Sequence, residues 1–129
     1  MATKPILSLS VLPGTFAVCR LSPDAAIPEW ANQGSMFSIT RTADELSIVC
    51  ETAYIPANVR AETDWRVLKF KGPFDFSLVG ILAAVLVPLA KVGIGIFALS
   101  TFATDMVLVK ADRLDLAVTT LRDEGHSVG

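Results

Sequence analysis

Residues 72–110 read GPFDFSLVGILAAVLVPLAKVGIGIFALSTFATDMVLVK, and the order of elements in this stretch decides the fold. Gly72-Pro73 makes a turn. From Phe76 to Ala90 the chain is apolar except at Ser77. Leu78, Ile81, Leu82, Val85 and Leu89 keep the i, i+3, i+4, i+7 spacing of one helix face. Val79, Ala83, Leu86 and Val87 make the other faces apolar too, which predicts a helix covered on more than one side. Asp75 stands where a capping residue belongs, and Pro88 is expected to bend or weaken the last turn. Gly93 and Gly95 mark the helix end. Gly95–Leu99 and Met106–Lys110 follow as strands around a polar turn, Ser100-Thr101-Phe102-Ala103-Thr104-Asp105.

Working outward, Trp65–Phe70 is a strand ahead of the helix. After the second hairpin strand, Asp112 opens a helix with Leu114, Ala117, Val118 and Leu121 inward and Arg113, Asp115, Arg122 and Asp123 toward water. Gly125 stops it, and His126–Val128 supplies a last short strand. The order is β-α-β-β-α-β, the ferredoxin-like arrangement in which an antiparallel sheet carries its helices on one face.

The first half repeats this pattern in shortened form. Ile6–Leu12 and Phe16–Leu21 fit two strands joined by a turn at Pro13-Gly14. Ser22-Pro23-Asp24 opens a short helix through Ala31. Met36–Arg41 and Leu46–Glu51 alternate as a half-buried hairpin around Thr42–Glu45. Residues 36–50 align without gaps on 96–110: Phe37 meets Phe97, Ile48 meets Leu108 and Glu45 meets Asp105. The chain is therefore read as α+β with two tandem units, a truncated one over 1–60 and a complete one over 61–129.

The 129 residues are 52% hydrophobic and 19% charged, the balance of a globular chain, and the net charge is −2. No basic stripe points to nucleic acid. The apolar run from Phe76 stops at Lys91, short of the roughly 20 residues that span a bilayer, so no membrane role is expected. The N-terminus is not a signal peptide, because serines interrupt its apolar stretch. Cys19 and Cys50 lie inside strand-like runs, as buried thiols of a cytoplasmic protein do.

Catalytic motifs are missing: no G-x-S-x-G, H-E-x-x-H, P-loop or G-x-G-x-x-G occurs. The single histidine, His126, reads as a solvated side chain near the C-terminus. No metal-ligand spacing is present and no cofactor is implied, so the chain is read as a non-enzyme. Two features invite a ligand. The first turn of the long helix, with Val79 and Gly80 in it, has backbone N–H groups free to meet a carboxylate. Asp105, beside the Thr101 and Thr104 hydroxyls, is placed to hold an ammonium group. Each also has an ordinary reading, as a helix cap and a turn carboxylate.

Asp64-Trp65-Arg66 with the 72–110 stretch, LPGTFAVCRL (12–21) and FSITRTADELSIVCE (37–51) resemble the small bacterial tandem-ACT-domain proteins. That family is related to the regulatory domains of aspartate kinases and to the Castor arginine sensors. The resemblance implies tandem ACT units in a homodimer, with an amino acid or similar small ligand bound where a strand–helix loop meets a neighbouring unit. By position it implies a site of Phe76, Ser77, Leu78, Val79, Gly80, Ser100, Thr101 and Asp105. No kinase domain accompanies the units, so a regulated enzyme would be a separate chain. The alternative is a ligand-free interaction and dimerisation module.

Overall fold

The computed structural model describes residues 5–74 and 78–129. The chain forms two compact units, one of residues 14–65 and one that combines the segment up to Pro13 with residues 66–129. The architecture is α+β. Among the described residues no helix is long and apolar enough to cross a membrane.

The 14–65 unit is a small antiparallel sheet. Its strands are β2 (Phe16–Leu21), β3 (Ser38–Arg41), β4 (Leu46–Glu51) and the first half of β5 (Ala61–Phe70), in the order β3-β4-β2-β5. Alternation brings Ala17, Cys19, Leu46, Ile48 and Cys50 to one buried face, where they pack with Ala31. The helix expected before Ala31 is a single 3-10 turn, Glu29–Asn32, with no side-chain cap. The segment is short and enters through Pro28, too little chain for a helix to nucleate.

The other unit contains β1 (Ser8–Val11), the second half of β5, α1 (Ala83–Lys91), β6 (Phe97–Ser100), β7 (Asp105–Lys110), α2 (Leu114–Asp123) and β8 (Ser127–Val128). From β5 onward it follows the β-α-β-β-α-β order. Leu9 of β1, Leu68 and Phe70 of β5, and Val107 and Val109 of β7 share one face. Val85 and Leu89 of α1 and Ala117 and Leu121 of α2 close over that face. Truncating one of these buried leucines to alanine costs about 2–5 kcal/mol.

The two N-terminal strands form on either side of Pro13-Gly14, as expected. β1 pairs antiparallel with β5, through Leu9↔Phe70 and Val11↔Leu68, and parallel with β8. β2 pairs with β4 and β5 instead. Gly14 lies between the two strands at φ +84°, a conformation that glycine tolerates.

The long helix also starts later than the apolar run suggests. Leu78 and Val79 are not helical, Gly80 has φ +86°, and α1 begins at Ala83. Val79 and Gly80 therefore precede the first turn rather than lying in it, and Asp75, the expected cap, lies outside the described residues. The helix runs through Pro88 to Lys91, and closes with bonds from Gly93 N–H to Ala90 O (3.0 Å) and Ile94 N–H to Leu89 O (3.0 Å). That 6→1 and 5→2 pair is a Schellman cap, and it turns Ile94 back into the core.

Candidate functional site

The β6–β7 turn is built by its own hydroxyls. Ser100 and Asp105 face each other as the last strand pair, and Ser100 Oγ donates to Asp105 Oδ1 at 2.5 Å. Inside them Thr101 N–H donates to Thr104 O (2.8 Å), and Thr101 Oγ1 accepts from Thr104 N–H (3.2 Å). The turn is then pinned to the end of β5. Thr104 Oγ1 donates to Phe70 O (2.8 Å), and Phe74 N–H donates to Ala103 O (2.8 Å). Gly72 permits this approach, since a Cβ there would lie 2.7 Å from Ala103 O.

These ties create a pocket of about 130 Å³. Phe74, Leu78 and Ile81 form one wall and the Thr101–Asp105 turn the other. Leu78, Thr101 and Asp105 of the expected set line it, and Ser100 holds the Asp105 carboxylate. Val79 and Gly80 instead line a separate groove of about 310 Å³, with Pro5, Ile6, Val87 and Glu124 among its other walls. Phe76 and Ser77 lie outside the described residues. Phe74, Ile81 and the highly exposed Phe102 were not anticipated.

His126 corrects its expected role as a solvated side chain. It is buried, at 6% exposure. Nδ1 accepts from Leu7 N–H at 3.1 Å, so Nε2 carries the proton and donates to Ala84 O at 3.2 Å. The signal was Gly125, at φ +96°. Gly125 N–H bonds Arg122 O (2.9 Å) and His126 N–H bonds Leu121 O (3.1 Å), another Schellman cap. The residue after the cap glycine folds back onto the helix, and here that residue is His126.

The two thiols are weak nucleophiles. Cys19 and Cys50 are free and fully buried. Burial pushes both thiols up; Cys50 reaches about 11, with smaller contributions from Cys19 and Glu51. A thiol held protonated does not attack. Among the described residues no group of three or more His, Cys, Asp or Glu is placed to hold a metal ion.

The second unit has the ferredoxin-like order and carries the smaller pocket between its strand–helix loop and the β6–β7 turn. Residues 60–123 match the family model described as ACT domain, and residues 14–58 match a model described as an N-terminal domain. The chain is similar over nearly its whole length to the protein Atu0741 of Agobacterium tumefaciens. The two are 46% identical, over 97% of this chain and 93% of that one, with a TM-score of 0.92. The chain belongs to the ACT-domain family. Its fold is shared with the regulatory subunit of aspartate kinase from Thermus flavus (TM-score 0.65, 11% identity, 94% of this chain and 99% of that). It is shared also with the aspartate kinase of Clostridium acetobutylicum (TM-score 0.67, 11% identity, 96% of this chain and 36% of that). At such identities the likeness is one of fold. No curated protein sequence matches the chain.

Proposed function

We propose that the chain is a non-catalytic regulatory module that binds an amino acid or a similar small ligand, acting in the cytoplasm on a separate enzyme. The observation that carries this reading is the pocket between the pre-helix loop and the β6–β7 turn. There a carboxylate, Asp105, stands beside the apolar side chains of Phe74, Leu78 and Ile81. Asp105 would take the ligand's ammonium group by a charge-assisted hydrogen bond. Phe74, Leu78 and Ile81 would cover its side chain, while the Thr101 hydroxyl, which donates to Thr104 O (3.1 Å) and accepts from Thr104 N–H, would hold the turn in shape. The division into two ACT-like units belongs to the same proposal, with the family-model boundary falling between residues 58 and 60.

The pocket is smaller than the roughly 300–1,000 Å³ usual for ligand sites. A second surface would complete it, and we propose a second copy of the chain as that surface. Phe102 at 83% exposure and Leu78 at 53%, both on this pocket, supply apolar area for such a contact.

A thermal-shift screen against the common amino acids tests the ligand. Binding adds RT ln(1 + [L]/Kd), about 2.7 kcal/mol at a hundredfold excess over Kd. Stabilisation by one or a few of them supports the reading. No shift with any, in a chain that light scattering finds dimeric, would favour a ligand-free dimerisation module instead.

A further inference from the structure

We propose that the groove between the N-terminal segment, α1 and the α2–β8 turn is a second ligand site, which takes an aliphatic amine. The groove has a volume of about 310 Å³, within the range of small-ligand pockets. It shares no lining residue with the Asp105 pocket, so the inference does not rest on the function proposed above.

Its floor is opened by small residues. Gly80, Ala83 and Ala84 leave the start of α1 without bulk, while Ile6, Val79 and Val87 stand around it. Val79 is 90% exposed, Ile6 66% and Val87 47%. Three branched aliphatic side chains around one concavity are an apolar surface whose burial by an alkyl chain offsets the cost of ordering that chain. The polar chemistry selects the head group. Among the described lining residues Glu124 carries the only charge, a carboxylate on the exposed turn after α2. His126 offers nothing to a ligand, because Leu7 N–H and Ala84 O already occupy its two nitrogens. An alkyl chain on Ile6, Val79 and Val87 with its ammonium at Glu124 satisfies both parts of the groove. A carboxylate head group would meet like charge.

The test is calorimetric titration of the full chain with butylamine, hexylamine and octylamine, with hexanoate as the control. Each methylene brought into the groove tightens binding by about fourfold until the floor is covered. Hexanoate is expected to show no binding. Ala83→Leu, at an exposed helical position, fills the floor and is expected to abolish hexylamine binding. Glu124→Gln is expected to weaken it by about twofold to fivefold. Asp105→Asn is expected to leave it unchanged. The proposal is overturned if no amine binds, if hexanoate binds as well as hexylamine, or if Ala83→Leu binds hexylamine like the parent. It is also overturned if the chain is a dimer that Ala83→Leu converts to monomer, because the groove then belongs to a second copy.

Discussion

His126 supplies a hydrogen bond that Pro88 withholds from α1. The carbonyl of Ala84 lies four residues before Pro88, and in a helix it would accept from the N–H that proline lacks. The Nε2–H of His126 donates to it instead, at 3.2 Å, while Nδ1 accepts from Leu7 N–H. One buried ring thus joins the entry to β1, the α2 cap and the flaw in α1. His126→Ala leaves a backbone donor and acceptor unmatched, each worth about 1–3 kcal/mol when buried. A loss of about 2–4 kcal/mol is expected by urea denaturation. In a double-mutant cycle, Pro88→Ala restores the helical donor, and the cost of His126→Ala should fall by about 1 kcal/mol. A cycle with no coupling would show that the Ala84 bond carries no weight.

The cysteines give stability a dependence on alkaline pH. Burial raises Cys50 from 9.0 to about 11 in the folded chain. A group whose folded value lies above its unfolded value stabilises fully below the unfolded value, and the contribution is lost as pH rises through the folded one. Stability should therefore be level up to about pH 8.5 and decline between about 9 and 11, by about 2–3 kcal/mol. Cys50→Ala should flatten this limb while lowering stability at neutral pH. Thiol labelling at pH 8 should also be slow in the folded chain, at a rate limited by opening. Labelling as fast as that of a free thiol would overturn the assignment.

How much of this was legible in the sequence differs from element to element. The i, i+3, i+4 stripe of Leu114, Ala117, Val118 and Leu121 and the alternation of Leu46, Ile48 and Cys50 carry period and phase together, and both elements form as read. The start of α1 was not legible because Phe76–Leu82 is apolar on every face, which leaves no phase to read; only Gly80 marks the break. The partners of β1 were hidden because Pro13-Gly14 signals a reversal without saying which strand receives it. The repeat is present but slipped by one residue. Arg41↔Leu46 and Ser100↔Asp105 close equivalent turns, so Asp105 corresponds to Leu46, and Glu45 to Thr104. Thr42 N–H to Glu45 O repeats Thr101 N–H to Thr104 O, at 2.9 and 2.8 Å. A gap-free alignment matched residue types and missed a slip that, in a period-2 strand, exchanges the two faces.

Gly72→Ala tests whether the strand end and the turn must touch. The new Cβ would sit 2.7 Å from Ala103 O and 3.1 Å from Thr104 Cβ, with backbone on one side. Separating them strains the Phe74 N–H to Ala103 O and Thr104 Oγ1 to Phe70 O bonds. A loss of about 1–3 kcal/mol is expected, as for other overpacked sites. Ligand affinity should fall with it, because the same bonds shape the pocket. A variant as stable as the parent would mean that the turn shifts freely.

Asp105→Asn separates a turn residue from a ligand contact. Asn keeps an oxygen to accept from Ser100 Oγ, now 2.5 Å from the carboxylate, and asparagine suits turns, so stability should change by less than about 1 kcal/mol. Ligand affinity should respond differently. Asp105 is half-buried, and once a ligand and a second copy cover it, removing one member of the charge pair costs about 2–5 kcal/mol, or about 30-fold or more in Kd. Ser100→Ala frees the carboxylate without removing its charge, and a smaller loss is expected. Glu45→Gln is the control: Glu45 meets Arg20 at 3.4 Å with both side chains well exposed, so it should cost under about 1 kcal/mol and leave affinity alone. The measurement is calorimetric titration of the three variants with the amino acid that the thermal screen identifies. Equal affinity for the parent and Asp105→Asn would reduce Asp105 to a residue that closes the β6–β7 turn.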